Sequence, residues 1–280
     1  MVNANLIRVR RLVEALRDER STVTLDIAAL EIASIEFPNL DFDASIFRLD
    51  TLAEQIGAKL TPDTDALGFI KAVNELLFEV LEFRGNEGEY YDPRNSCLNS
   101  VLTRRLGIPI TLSVVYMEVA RRLGRTVYGV GLPGHFIVAL EDEGSRYWID
   151  PFRGGQILSF ADCCALAKDT AGVDLRANPA VLAPVTTRQI LVRMLSNLKA
   201  IYLRGEAFDK AREVLDLLIA AMPEYPEEYR HRGIVHLRQS NHRAAKADLE
   251  TYLRLEPNAP ERDQVEKQLL LIARWKAEMN

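Results

Sequence analysis

The stretch Gly131-Leu132-Pro133-Gly134-His135-Phe136-Ile137-Val138-Ala139-Leu140-Glu141-Asp142-Glu143-Gly144-Ser145-Arg146-Tyr147-Trp148-Ile149-Asp150-Pro151 decides how this chain is read. Two runs rich in β-branched and aromatic residues, His135–Leu140 and Arg146–Asp150, flank the polar segment Glu141–Ser145. That is the pattern of two strands joined by a turn, and Thr126–Val130 adds a third strand before them. An even turn centred on Glu143 and Gly144 sets Asp150 opposite Ile137. Asp150 then shares a sheet face with His135 and is its diagonal neighbour. Diagonal residues lie about 7–8 Å apart at the backbone, within reach of a carboxylate–imidazole contact. An odd turn puts the two on opposite faces.

Upstream of the strands the period changes to helical. One helix is expected from about Cys97 to Leu106, stopped by Gly107 and Pro109, and a second from about Leu112 to Leu123, stopped by Gly124. Helices followed by an antiparallel sheet make an α+β unit. Residues 1–88 read as helical scaffold, with Thr61-Pro62 as the start of the last helix there. Downstream, Leu198–Glu227 overlays Arg232–Glu261. Leu203 falls on Leu237, Ala211 on Ala245, Leu215 on Leu249, Pro223 on Pro257 and Pro226 on Pro260. A shift of 34 residues is the tetratricopeptide period. The copies depart at Gly205, which is Gln239 in the second. Pro260 to about Glu278 reads as a capping helix. The expected organisation is 1–88 helical, 89–182 an α+β core, and 183–280 repeats plus cap. The connection Ala177–Pro184 is too apolar for a solvated tether, so the repeat segment is expected to pack through Ile190, Leu191 and Met194.

Composition narrows the function classes. The 280 residues are 48% hydrophobic and 27% charged, with 12 Pro and 15 Gly, which is ordinary for a globular chain. The net charge of −5 and the absence of a basic stripe argue against a nucleic-acid partner. No apolar run approaches the ~18–20 residues of a membrane span. The N-terminus lacks the apolar core of a secretory signal. Three cysteines make no disulfide framework, so a reducing cytoplasm is the expected setting.

The residues that carry chemistry are few. Cys97 follows Asn95-Ser96 at a helix start, where the partial positive charge favours a thiolate. His135 follows Pro133-Gly134, which leaves room for another group to approach. With Asp150 they form a nucleophile, a base and an orienting carboxylate, the logic of an activated thiol. The Cys97 N–H, with Asn95 and Ser96 beside it, is the expected oxyanion and cleft region. Tyr90-Tyr91 and Arg153-Gly154-Gly155 are expected at its rim. Cys163 and Cys164 read as buried small hydrophobes. His231, His236 and His242 fall in the repeats as surface or inter-helix residues. Gly129-Val130-Gly131 lacks the helix of a dinucleotide fingerprint. Neither metal nor cofactor is expected.

Cys97-Leu98-Asn99-Ser100-Val101-Leu102, Gly134-His135-Phe136 and Trp148-Ile149-Asp150-Pro151 together resemble the core of the transglutaminase-like, papain-like superfamily. Asn95-Ser96-Cys97-Leu98-Asn99-Ser100 with Pro133-Gly134-His135-Phe136 and the repeats resembles, more narrowly, the bacterial SirB1 family. The core is also similar to one in some eukaryotic F-box proteins. The resemblance spans roughly Thr24 to Trp275. It implies Cys97, His135 and Asp150 as the catalytic Cys, His and Asp. Many members carry Gly two residues before the Cys, where this chain has Asn95, and the helix near 112–123 is an addition. The implied activity is thiol-dependent acyl transfer or amide hydrolysis, with the repeat groove docking a protein or peptide. The alternative is a non-catalytic interaction module on the same fold.

Overall fold

The computed structural model describes residues 4–17, 21–177 and 179–278; Asn178, in the connection just named, lies outside them. The chain opens with α1 (Ala4–Arg17), α2 (Leu25–Ala33), α3 (Phe42–Gly57) and α4 (Ala66–Asn74), the last continuing as a wider π-type turn over Glu75–Val80. Aspartates start two of these helices. The Asp41 side chain accepts from the Ala44 N–H at 3.0 Å, and Asp65 from the Gly68 N–H at 2.8 Å. So α4 begins at Ala66 and not at Thr61-Pro62. The Asp65 carboxylate satisfies a first-turn donor, while Thr61 and Thr64 bond to each other in a turn ahead of it.

Strand β1 (Arg84–Gly85) pairs in parallel with β2 (Leu106–Gly107). Between them lies α5 (Leu98–Arg104), shorter than the sequence indicated because Arg105 turns left-handed at φ 59°. Helix α6 (Pro109–Arg122) starts at the proline, where the sequence pattern predicts a stop. A proline lacks only an N–H that the first helical position does not use, and its fixed φ suits that position.

The sheet is antiparallel, ordered β3 (Val127–Val130), β4 (Ile137–Asp142), β5 (Ser145–Asp150), β6 (Gln156–Leu158). The turn between β4 and β5 is the two residues Glu143 and Gly144, at φ 47° and 79°. This is the twist that two-residue hairpins favour. The ladder runs from Asp142↔Ser145 to Val138↔Ile149, so the even register holds and Asp150 comes opposite Ile137. Helix α7 (Phe160–Ala171), opened by a reciprocal Ser159–Asp162 cap, covers one sheet face. There Ile137, Ala139 and Leu158 pack with Cys163, Leu166 and Ala167. Helix α6 packs on β3 and β4. The free edge of β3 is covered by the chain itself: Val130 bridges Pro184, and the Val185 N–H donates to the Gly129 carbonyl at 2.9 Å.

Helix α8 (Thr187–Arg204) follows, then α9 (Phe208–Ala221), α10 (Pro226–Arg238), α11 (His242–Leu255) and α12 (Arg262–Glu278). The chain divides into two compact units, 1–194 and 195–280. The division falls within α8. In the second unit α11 repeats α9 at both ends with the 34-residue period. Ala211, Leu215, Ala245 and Leu249 are all fully buried. A Cβ on Gly233 would come within 2.9 Å of Leu249, so α10 and α11 touch where only glycine fits. The Gly205-to-Gln239 departure has a simple reason. The left-handed residue in each turn is the next one, Glu206 at φ 55° and Ser240 at φ 57°, so neither Gly205 nor Gln239 needs a glycine.

Candidate active site

Asp150 ends β5 with its side chain wholly buried. Its Oδ1 accepts from the Phe152 N–H at 3.0 Å, and its Oδ2 stands 2.9 Å from His135 Nε2. His135 lies two residues before β4, in a turn where its N–H donates to the Leu132 carbonyl at 3.1 Å. Gly134 takes φ 71° there, and a Cβ on it would meet Thr170 at 2.9 Å, so glycine is required on both counts. With Nε2 facing the carboxylate, Nδ1 is the ring nitrogen left for proton exchange. Arg153 Nε lies 3.9 Å from Asp150 Oδ2 and is half-exposed.

Cys97 is the residue that caps α5, one position earlier than a first-turn residue, and it is fully buried. Its Sγ lies 3.3 Å from the Pro93 carbonyl oxygen. Its N–H donates to the Arg94 carbonyl at 3.3 Å, so this expected oxyanion donor is engaged within the chain. The Asn95 amide is engaged too. Its Nδ2 donates to the Glu89 carbonyl at 2.7 Å, and its Oδ1 accepts from Asn86 Nδ2 at 3.1 Å. Asn95 thus fastens the loop ahead of Cys97. The Ser96 hydroxyl is buried with no partner among the described residues. Thr111 at the start of α6 donates to the Asn95 carbonyl at 2.6 Å and accepts from the Ile108 N–H at 3.1 Å. One hydroxyl ties the segment before Cys97 to the helix after it, a role that no motif in the sequence announces.

An aromatic file borders His135. Phe152 meets the His135 ring edge-on at 5.7 Å and Tyr90 at 6.5 Å, and Tyr90 meets Tyr91 at 5.5 Å. Tyr90 and Tyr91 are exposed, as rim residues are. Burial of the ring pushes the Tyr90 phenol up, with Arg193 acting against it. Cys163 sits under the sheet, where burial, then nearby negative charges including Asp150, push its thiol up to about 12. None of the three cysteines is in a disulfide. Of the repeat histidines, His236 is buried, with Nε2 3.7 Å from Asp248. Among the described residues no group of three His, Cys, Asp or Glu side chains is arranged to hold a metal ion, and no helix is long and apolar enough to cross a membrane.

A buried His–Asp pair on neighbouring chain segments, with a cysteine capping a helix upstream, has the chain order of a transglutaminase-like core. The family described as "Transglutaminase-like superfamily" matches residues 44–196, and the chain belongs to it; a tetratricopeptide repeat family matches residues 198–270. Over nearly its whole length the chain is similar to a UPF0162 protein of Xylella fastidiosa, 39% identical across 89% of this chain and 90% of that one. A UPF0162 protein of Vibrio cholerae is 28% identical across 80% and 83%. F-box only protein 21 of Mus musculus is 32% identical over 55% of this chain and 26% of its own length.

Proposed function

We propose that the chain is a thiol-dependent acyl transferase or amidase acting through Cys97, His135 and Asp150. The Cys97 thiolate attacks an amide carbonyl carbon. The His135 imidazolium gives its proton to the leaving amine as the C–N bond breaks, and a thioester remains. Water or an amine, deprotonated by His135, then displaces the sulfur, which leaves as thiolate. Asp150 keeps the ring oriented and balances its charge. The observation that carries this reading is the buried His135–Asp150 pair at 2.9 Å. Of the expected oxyanion groups, the Ser96 hydroxyl is the uncommitted one. We also read the motif set around Asn95–Ser100 as that of the SirB1 family, place the chain in a reducing cytoplasm, and assign the repeats to docking a protein or peptide.

A second reading, a non-catalytic interaction module, draws on the burial of Cys97 and on the engagement of its N–H and of Asn95. Turnover then requires the loop before Cys97 to open. One experiment separates the two. Iodoacetamide modification of Cys97, followed by peptide mass between about pH 6 and 7, is expected to proceed through opening of the loop before it and to be slower in His135→Ala than in the wild type. Equal rates refute the base role of His135 and leave the interaction module. Cys97→Ala checks that the modified thiol is the right one.

A further inference from the structure

We propose that Arg193, on α8, is the positioning residue for His135. This rests on the acyl-transfer reading above. His135 lies outside the β4 ladder, so strand pairing does not fix it. It ends a turn that includes the left-handed Gly134, whose middle is held by the Thr170 hydroxyl donating to the Pro133 carbonyl at 2.8 Å. The Arg193 guanidinium holds both ends of that turn. One terminal nitrogen donates to the His135 carbonyl at 2.6 Å and the other to the Leu132 carbonyl at 3.1 Å. The same group lies over the Phe136 ring, 5.4 Å from its centre.

Two features show that charge and shape both matter. Among the described residues Arg193 forms no ion pair, so its cation is spent on two carbonyls. Burial pushes its guanidinium down, and Tyr90 is the titratable group near enough to oppose this. Carbonyls accept about twice as strongly from a cation as from a neutral donor. Two carbonyls at separate points need a planar fork, which arginine has and lysine lacks. Fixing the carbonyl fixes the Cα–Cβ direction of His135, and therefore the approach of its ring to Asp150. The titratable and charged groups around that ring and its carboxylate are Asp150, Arg153, the Cys163 thiol of α7 near Asp150 and, across Phe152, Tyr90.

The test is the pH profile of Cys97 alkylation by iodoacetamide in the full chain, for wild type, Arg193→Met, Arg193→Lys and His135→Ala. The wild-type midpoint is expected below the free-thiol value of ~8.5, and that of His135→Ala at about that value. Arg193→Met is expected to move the midpoint toward that of His135→Ala and to slow the reaction at pH 6.5 by about 10–100-fold, the scale of a small misplacement of a reacting group. Arg193→Lys, which keeps the charge and one donor, should fall between. A rate that changes at every pH with an unmoved midpoint overturns the proposal. Because an unfolded chain would itself show the free-thiol midpoint, each variant is compared only where its urea unfolding is cooperative and complete folding is retained at the assay pH. If Arg193→Met does not fold, Arg193→Lys decides by the same criterion. If wild type and His135→Ala share one midpoint, the acyl-transfer reading fails by itself. Imidazole nitrogen NMR then decides for Arg193. Exchange of the His135 ring proton facing Asp150 should quicken in Arg193→Lys, and unchanged protection overturns the proposal.

Discussion

Replacing Asp150 separates structure from chemistry at one atom. The carboxylate is fully buried and serves two groups, the Phe152 N–H at 3.0 Å and His135 Nε2 at 2.9 Å. Asp150→Ala strands both. Each buried donor left without a partner costs about 1–3 kcal/mol, so the expected loss is about 2–6 kcal/mol. Asp150→Asn behaves differently. Its amide oxygen keeps the Phe152 N–H, and its NH2 group must then face Nε2, where only an unprotonated nitrogen accepts. The ring proton therefore moves to Nδ1, and the stability loss falls to about 1 kcal/mol, one ordinary hydrogen bond exchanged for a weaker one. Turning the amide over instead sets its NH2 against the Phe152 N–H, two donors facing. Urea unfolding read by hydrogen exchange in β4 and β5 measures the first effect. Imidazole nitrogen NMR, with His135 assigned by His135→Gln, measures the second. The reasoning fails if Asp150→Ala unfolds no earlier than Asp150→Asn, or if the Asp150→Asn ring keeps its proton on Nε2.

Three further outcomes are expected. Near pH 7 the folded chain should leave Cys163 unmodified by iodoacetamide while half-exposed Cys164 reacts, since burial holds the Cys163 thiol up near 12; modification of Cys163 at the rate of Cys164 by peptide mass contradicts this. Gly85→Ala should cost about 1–3 kcal/mol in urea unfolding, because its Cβ would lie 2.4 Å from the Phe152 ring that abuts His135, and an unchanged midpoint would show the ring moves freely. In the repeat unit, burial pushes His231 and His236 below the ordinary 6.5, so both stay neutral in the folded state after the unfolded state has taken up protons. Stability is then full above about pH 6.5 and falls as pH drops below it, and His231→Gln with His236→Gln should flatten that slope in hydrogen exchange of α10.

The hairpin was legible because two residues, Glu143 and Gly144, carry the whole turn, and an even turn admits one register. The repeats were legible for a related reason: small residues at Ala211 and Ala245 recur at the 34-residue period, and both are fully buried. Helix boundaries were less so. Pro109 is read equally well as a stop or a start. While the Ile108 N–H to Thr111 hydroxyl bond that opens the helix is local, the bond of that hydroxyl to the Asn95 carbonyl depends on tertiary placement. At the site, the position of Cys97 at a helix start was visible. Its burial was not, nor was the engagement of Asn95, because both arise from carbonyls of the loop at Glu89–Pro93 folding back over it. Strand β6 is three residues long and carries no alternation to detect. Arg193 left no signal, since an arginine on a helix face looks solvated until the partner carbonyls are known.

Helix α8 lies on both sides of the division after Met194, and this bears on how the gene can be dissected. A fragment ending near 183 drops Pro184 and Val185 from the margin of the sheet and leaves β3 an open template for pairing with another molecule. It also loses Arg193. A fragment carried on to 204 keeps both, but cuts the second unit after its first ten residues, among them the buried Leu195, Leu198 and Tyr202. Neither cut yields an unaltered part. Shuffling of the repeats onto or away from this core, by an experimenter or by recombination, therefore has to preserve α8 whole and supply a cover for its second half.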